Sequence, residues 1–290
     1  MQVAVLQGRG DFAEWRDAAR RLLMAGAEPA QVDWRLAGDD SLFAPQATPP
    51  GPAVRPPPRV PRAFLELAEA VVCHGDPGRF ALLYRLLARL QHDPVLLAMA
   101  ADADVVAAQR LASAVRRDCH KMAAFVRFRE TPGAGGRRRF LAWFEPDHHI
   151  VARKAPFFAR RFADMDWMIL TPKGSAAFEG GTLSVAADPA AKPDLDDPTD
   201  ALWLTYYAAI FNPARVKLAA MRAEMPKKYW RNLPEAALIP ELVAQAPARV
   251  AAMAAQAALP PPAHHARIQA RRRAAEDAAA PAGDGATPPG

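Results

Sequence analysis

The sequence predicts an α+β fold, an antiparallel sheet packed by several helices, and three observations predict it. Apolar residues recur at helical spacing from Phe12 to Leu23, from Phe64 to Val72 and from Val105 to Met122; the period drops to two from Val126; and glycine or proline clusters separate the two regimes. With 290 residues, 51% of them apolar, the chain is long enough to bury a real core.

Met1 to Leu6 alternates as a short strand, and Asp11 with Glu14 forms the capping-box pattern that starts a helix. Phe12, Trp15, Ala19, Leu22 and Leu23 give that helix one apolar face, Gly26 sits where a helix stops, and Gln31 to Leu36 returns as a strand. Residues 1–44 therefore read as a small N-terminal βαβ-like unit. Of 29 prolines, many fall between Pro45 and Pro61 or after Pro260, so 45–61 reads as a linker, 62–258 as the main domain and 259–290 as a disordered tail.

A helix begins at Arg62 and is broken by His74-Gly-Asp-Pro-Gly, and a second spans Arg79 to Gln91. The longest starts at Asp104, with Val105, Ala108, Leu111, Val115, Cys119 and Met122 on one arc and Arg110, Arg117 and Lys121 on the other side. Val126 and Phe128 then alternate with Arg127 and Arg129, a glycine-rich turn follows, and Arg137 to Phe144 returns, which makes a hairpin with one basic face. Pro156 opens a short helix whose Phe157, Phe158 and Phe162 face inward, and strands are expected at Trp167–Leu170 and Leu183–Val185. Helices over Ala201–Phe211 and Pro213–Met225, a basic aromatic loop MPKKYWRNLPEA and a helix from Ala236 to Gln256 complete the chain.

Charge is concentrated. Arg116 to Arg161 holds twelve Lys and Arg against four Asp and Glu, while the whole chain carries a net charge of only +6. A local positive field containing histidines and aromatics points to a nucleic-acid or phosphate partner. Cys73 and Cys119 belong to no CxxC pair, so thiols alone build neither a zinc ribbon nor an iron–sulfur cluster, and a reduced, cytoplasmic setting is expected. The N-terminus lacks the pattern of a signal peptide, no apolar run is long enough to span a bilayer, and GxGxxG, P-loop, GxSxG and HExxH patterns are absent. No metal and no cofactor are expected.

Arg117 and Lys121 on the long helix, Arg127 and Arg129 (with Arg137 and Arg139) on the hairpin, and His148 and His149 in the following turn are candidate nucleic-acid contacts. Lys227, Lys228 and Arg231 around Tyr229 and Trp230 suit cations on a backbone with an aromatic stacked on an exposed base; the same aromatics also suit anchors that fix the loop to the core. His120, Glu145, Asp147 and His148 form the one candidate acid/base constellation, although adjacent histidines point apart and EPDHH also reads as a capped turn. Cys119 and Cys73 read as structural thiols.

The blocks DFAEWRDAARRLLMAG, AVRRDCHKMAAFVRFRE, AWFEPDHHIVARKAPFFARRFADMDWMILTP, TYYAAIFNPAR and EMPKKYWRNLPE resemble an uncharacterised bacterial family labelled as probable DNA metabolism proteins, over about residues 1–258. Members of that family occur beside a radical SAM protein assigned to DNA modification or repair, and fused ahead of UdgX-type uracil-DNA glycosylases; the present sequence is similar to that fused N-terminal region. The chain shows neither the cluster-binding cysteine set nor the KRRIH-type loop of the glycosylase, so uracil excision is not expected of it. The resemblance, together with the charge, implies a DNA-binding accessory protein of bacterial DNA repair or modification, with single-stranded or damaged DNA and a radical SAM or glycosylase protein as partners. A metal- or histidine-assisted DNA-processing enzyme and a protein–protein adaptor are the other readings.

Overall fold

Helical spacing and alternation sort the chain into two sheets and the helices that cover them. The computed structural model describes residues 1–38, 49, 51–131, 138–193, 225, 227–230 and 232–255. Strands β1 (Gln2–Leu6) and β2 (Val32–Leu36) pair in parallel, with Gln2 opposite Val32 and Leu6 opposite Leu36. Parallel neighbours need a crossover, and helix α1 (Phe12–Met24) supplies it. The Asp11 carboxylate accepts the Glu14 amide at 3.0 Å, but Glu14 reaches back to the amides of Gln7 (2.6 Å) and Gly8 (2.7 Å). The second arm of the expected capping box thus ties down the β1–α1 loop. After the helix, Gly26 takes φ +80°, where a side chain would be strained.

Trp15 of α1 is buried and packs on Phe64 (6.5 Å between centroids) and Trp34 (6.3 Å), while Trp34 meets Tyr84 edge-on at 5.6 Å. These contacts seat the opening unit on α2 (Arg62–Val71) and α3 (Arg79–Leu90) in one continuous hydrophobic core. Helix α4 (Ala103–Phe125) is capped by Asp102, whose carboxylate accepts two amides at 3.1 Å, and it lays Val105, Ala108, Leu111, Val115 and Met122 into the same core.

The larger sheet has the order β3 (Arg129–Thr131), β4 (Arg139–Trp143), β5 (Asp166–Thr171), β6 (Gly174–Glu179), β7 (Thr182–Ala186). Neighbours run antiparallel except β4 and β5, which are parallel because helix α5 (Val151–Arg161) carries the chain across. Ala142, Trp167, Ile169, Ala176 and Phe178 line its buried face, and Phe158 of α5 packs on Trp167 at 6.2 Å. The protein is thus an α+β structure with helices on its sheets.

Four local expectations change. Helix α5 starts at Val151, five residues before Pro156, because Ile150 and Val151 are buried and extend its apolar face by a turn. Phe157 is 37% exposed, one residue off the buried line through Phe158, and the Lys154 ammonium sits 3.7 Å from its ring centroid. Strand β6, not anticipated, is built from small residues that lie flat beside β5 with Phe178 stacked on Trp167 at 5.8 Å. The MPKKYW stretch contains a short helix, α6 (Lys227–Trp230), rather than only a loop, and α7 (Ile239–Ala255) follows. Apart from Met225, the helices expected over 201–225 fall outside the described residues, as does the tail expected after 258. Among the described residues no helix is long and apolar enough to cross a membrane.

Fully buried Tyr84 donates its hydroxyl to the Ala27 carbonyl at 2.8 Å, pinning the turn after α1 to α3. Tyr84→Phe should leave that carbonyl without its donor and lower stability by about 1 kcal/mol. Urea unfolding should show a lower midpoint at unchanged slope; an unshifted midpoint would rule out this bond as a net stabiliser.

Candidate nucleic-acid interface

The site is assembled around a carboxylate on the apolar face of α4. Asp118 is 4% exposed, three residues after Val115 and four before Met122, so helical geometry directs it inward with them. Its Oδ2 accepts the His148 backbone amide at 2.8 Å, and its Oδ1 lies 3.5 Å from the Tyr229 hydroxyl, at the outer limit of a hydrogen bond. Burial pushes the Asp118 carboxyl up to about 6, against the opposing effect of the His148 amide. One side chain thereby joins α4, the EPDHH turn and α6.

Tyr229 is 3% exposed, with its ring stacked between Phe125 and Phe144, each at 5.2 Å. It is a core anchor, and its face is not open to a base. Trp230 is half-buried and donates its indole N–H to the Met225 carbonyl at 3.0 Å. With the aromatics turned inward, Lys227 and Lys228 are left exposed. Lys228 forms an ion pair with Asp147. Burial works against its charge, but hydrogen bonds to Asp147 and Tyr229 prevail and raise the ammonium's proton affinity.

The histidine turn meets the loop between α2 and α3. The His148 amide binds Asp118, the His149 amide donates to the Cys73 carbonyl at 2.8 Å, and the Gly75 amide donates to His148 Nδ1 at 3.2 Å. The His74 and His148 rings lie 4.1 Å apart at 31°, and His74 Nδ1 accepts the Asp76 amide at 2.9 Å. The first loop closes over the back: a Cβ on Gly10 would come within 2.8 Å of the His149 carbonyl oxygen, so glycine is required for the approach. Burial pulls His148 and His149 down to about 4, with cationic neighbours adding to the effect, and burial likewise lowers His74. All three are neutral at pH 7.

Arg79 fixes the loop from below. The guanidinium is buried and donates to the carbonyls of Val72 (2.9 Å), Asp76 (2.8 Å) and Arg9 (2.7 Å), with its carbon 4.0 Å from the Phe80 ring centroid. Val72 caps the end of α2, where the helix dipole favours a cation. Cys73 is buried beside it, and burial raises its thiol to about 12, so it is an inert structural thiol. The half-buried Cys119 is also raised by burial.

Arg117 and Lys121 lie about 100° and 60° round α4 from Asp118, on the same flank as Arg110. Arg117 is exposed and donates to Ser113 Oγ at 3.0 Å; Lys121 is half-buried, with its ammonium 5.9 Å from the Phe125 ring centroid. Arg127 is not a strand residue: it donates to the carbonyls of Ala124 (2.8 Å) and Val126 (3.3 Å), closing the end of α4. Arg129 begins β3 opposite Leu141, and Thr131 opposite Arg139, so Arg129 and Arg139 share a sheet face. Arg137 and Arg231 lie outside the described residues.

The acid/base constellation does not converge. His120 is exposed, about 200° round α4 from Asp118, Glu145 accepts the Trp143 indole N–H at 2.9 Å, and Asp147 is paired with Lys228. Among the described residues no three His, Cys, Asp or Glu side chains are placed to hold one metal ion.

The candidate contacts on α4, the histidine turn and α6 lie within residues 77–235, the stretch that matches one family model and makes up more than half of the chain. The chain belongs to DUF4130, a domain of unknown function. No curated protein and no solved structure matches it. The DUF4130 match covers α3, α4, the five-stranded sheet, the histidine turn and α6, whereas His74, Arg9 and Gly10, which complete the turn's surroundings, precede it.

Sequence reasoning overlooked Asp118, His74 and Arg79. The sign of Asp118 was its place at helical spacing within an apolar arc, and the sign of Arg79 was a cation between Val72 and Phe80 at a helix start.

Acid should destabilise this region. The unfolded chain binds protons at His74, His148 and His149 near their ordinary 6.5, while the folded chain holds them lower, so their contribution is lost as pH falls below about 6.5. Asp118 runs the other way: its raised carboxyl stabilises the fold below 3.8, an effect lost as pH rises through about 6. Three groups oppose one, so the thermal midpoint should fall between about pH 6.5 and pH 4.5, and Asp118→Asn should steepen the fall. An equally steep or shallower acid limb in the variant would contradict the raised carboxyl.

Proposed function

We propose that this DUF4130 protein is a DNA-binding accessory factor of bacterial DNA repair or modification. The observation that carries the reading is the Asp118 junction. Through it meet the elements that carry Arg117 and Lys121 (α4), His148 (the turn), and Lys227 and Lys228 (α6), although α4 and α6 are more than a hundred residues apart in sequence. Cations held on anchored elements suit phosphate contacts, which position a protein on nucleic acid without reading its bases.

The likeness of HKMAAFVRF, EPDHH and MPKKYWRNLPE to the region fused ahead of UdgX-type glycosylases, and to a companion of a radical SAM repair protein, supplies the partner class. With Tyr229 in the core, base stacking falls to Trp230 or to none of this loop, so the reading rests on backbone contacts. The dispersal of His120, Glu145, Asp147 and His148 favours binding over the metal- or histidine-assisted enzyme.

Fluorescence anisotropy at low salt should show the full chain binding single-stranded or duplex DNA. Arg117→Glu with Lys227→Glu, both at exposed positions, should weaken binding at least tenfold and reduce the log–log salt slope by roughly one to two. No binding by the parent chain, or equal binding by the double variant, would overturn this assignment.

A further inference from the structure

We propose that the stacked His74–His148 pair is a phosphate-binding site that donates two neutral imidazole N–H groups to one phosphate group. Each Nδ1 accepts a backbone amide, from Asp76 at 2.9 Å and from Gly75 at 3.2 Å. An amide has only a proton to offer, so neither Nδ1 is protonated and each neutral ring carries its proton on Nε2. Among the described residues neither Nε2 has a hydrogen-bond partner, and both rings are half-buried rather than sealed.

The spacing suits one ligand. With centroids 4.1 Å apart and ring atoms about 1.2 Å from each centroid, the two Nε2 atoms lie at most about 6.5 Å apart, within the span of two oxygens of one phosphate plus two hydrogen bonds. A divalent cation does not fit, because each Nε2 presents a proton where a metal needs a lone pair. Burial lowers both imidazoles, so the pair stays neutral and stacked without mutual repulsion.

Charges of both signs surround the pair. At His74 the Asp76 carboxylate is opposed by Arg79 and Arg110, and at His148 the Asp147 carboxylate is opposed by Lys173 and Lys228. Asp147 is engaged by Lys228, Asp76 Oδ1 accepts the Gly78 amide at 2.7 Å, and Asp118 below is occupied by the His148 amide. With both carboxylates engaged, a phosphate oxygen meets two uncommitted N–H donors with Lys173, Lys228, Arg79 and Arg110 among the neighbouring charges. The site deepens the DNA-binding reading and rests on it only for the source of the phosphate, which is either a strand terminus or an internal linkage.

The test is a titration of the full chain, labelled with nitrogen-15 in its histidines, with inorganic phosphate against chloride at matched ionic strength. Imidazole resonances of His74 and His148 should shift saturably while both Nδ1 stay unprotonated. His74→Asn and His148→Asn keep a side-chain oxygen to accept the loop amide but remove the Nε2 donor; each should weaken phosphate binding at least fivefold at an unchanged thermal midpoint. Equal phosphate binding in both variants, protonation of Nδ1 on binding, or no response beyond chloride would overturn the site. If an asparagine variant unfolds early, the parent titration alone decides.

A 5′-phosphorylated oligonucleotide and its 5′-hydroxyl twin separate the sources. A terminal site binds the phosphorylated strand at least fivefold more tightly and loses the preference in His148→Asn, whereas an internal site binds both alike and loses affinity for both. DNA binding without a phosphate response would overturn this inference and leave the proposed function standing. A phosphate response without DNA binding would do the reverse.

Discussion

A carboxylate inside the apolar face of a helix constrains the surface of this protein. Burying an unpaired carboxylate costs on the order of several kcal/mol, so Asp118 requires partners, and they arrive from distant segments. The His148 amide comes from the turn after β4 and the Tyr229 hydroxyl from α6. Phe125 and Phe144 clamp the Tyr229 ring, which holds its hydroxyl toward Asp118 and leaves Lys227 and Lys228 outside. Core packing and surface charge are thus consequences of the same anchor.

Arg79 plays the complementary role on the other side of the histidine turn. A guanidinium among carbonyl oxygens, at the negative end of α2, holds the loop whose Gly75 and Asp76 amides set the imidazole tautomers. The buried cation holds the loop, and the loop amides occupy Nδ1 of both rings. The close passage of Gly10 past His149 makes the opening βαβ unit part of the same assembly. These constraints hold both imidazoles in one tautomer, the feature on which the proposed phosphate site rests.

Much of the fold is legible in the sequence where burial is periodic. Phe64 to Val71, Phe80 to Leu90 and Val105 to Met122 mark α2, α3 and α4 because each buries a continuous stripe. The parallel β4–β5 pair and strand β6 are not legible: the first depends on where α5 carries the chain, and the second is small residues whose place is set by β5. The charge of the candidate site is legible in the sequence, and its buried anchors are not. Tyr229 and Phe157 show why composition misleads, since aromatic residues beside lysines point inward or outward according to a single step of helix phase. Asp118 and His74 stayed hidden for a related reason, because a polar residue in an apolar arc or a breaking loop looks like noise until its partners, distant in sequence, are in place.

The central proposal is that residues near 117–121, 148 and 227–228 form one nucleic-acid surface around Asp118. Ultraviolet crosslinking of the full chain to a short single-stranded oligonucleotide, followed by peptide mapping, tests it most directly. The account predicts crosslinked peptides from both the α4–histidine-turn region and the α6 region, with both sets lost together when Asp118 is replaced by alanine. Crosslinks confined to one region, or to segments away from both, would contradict it.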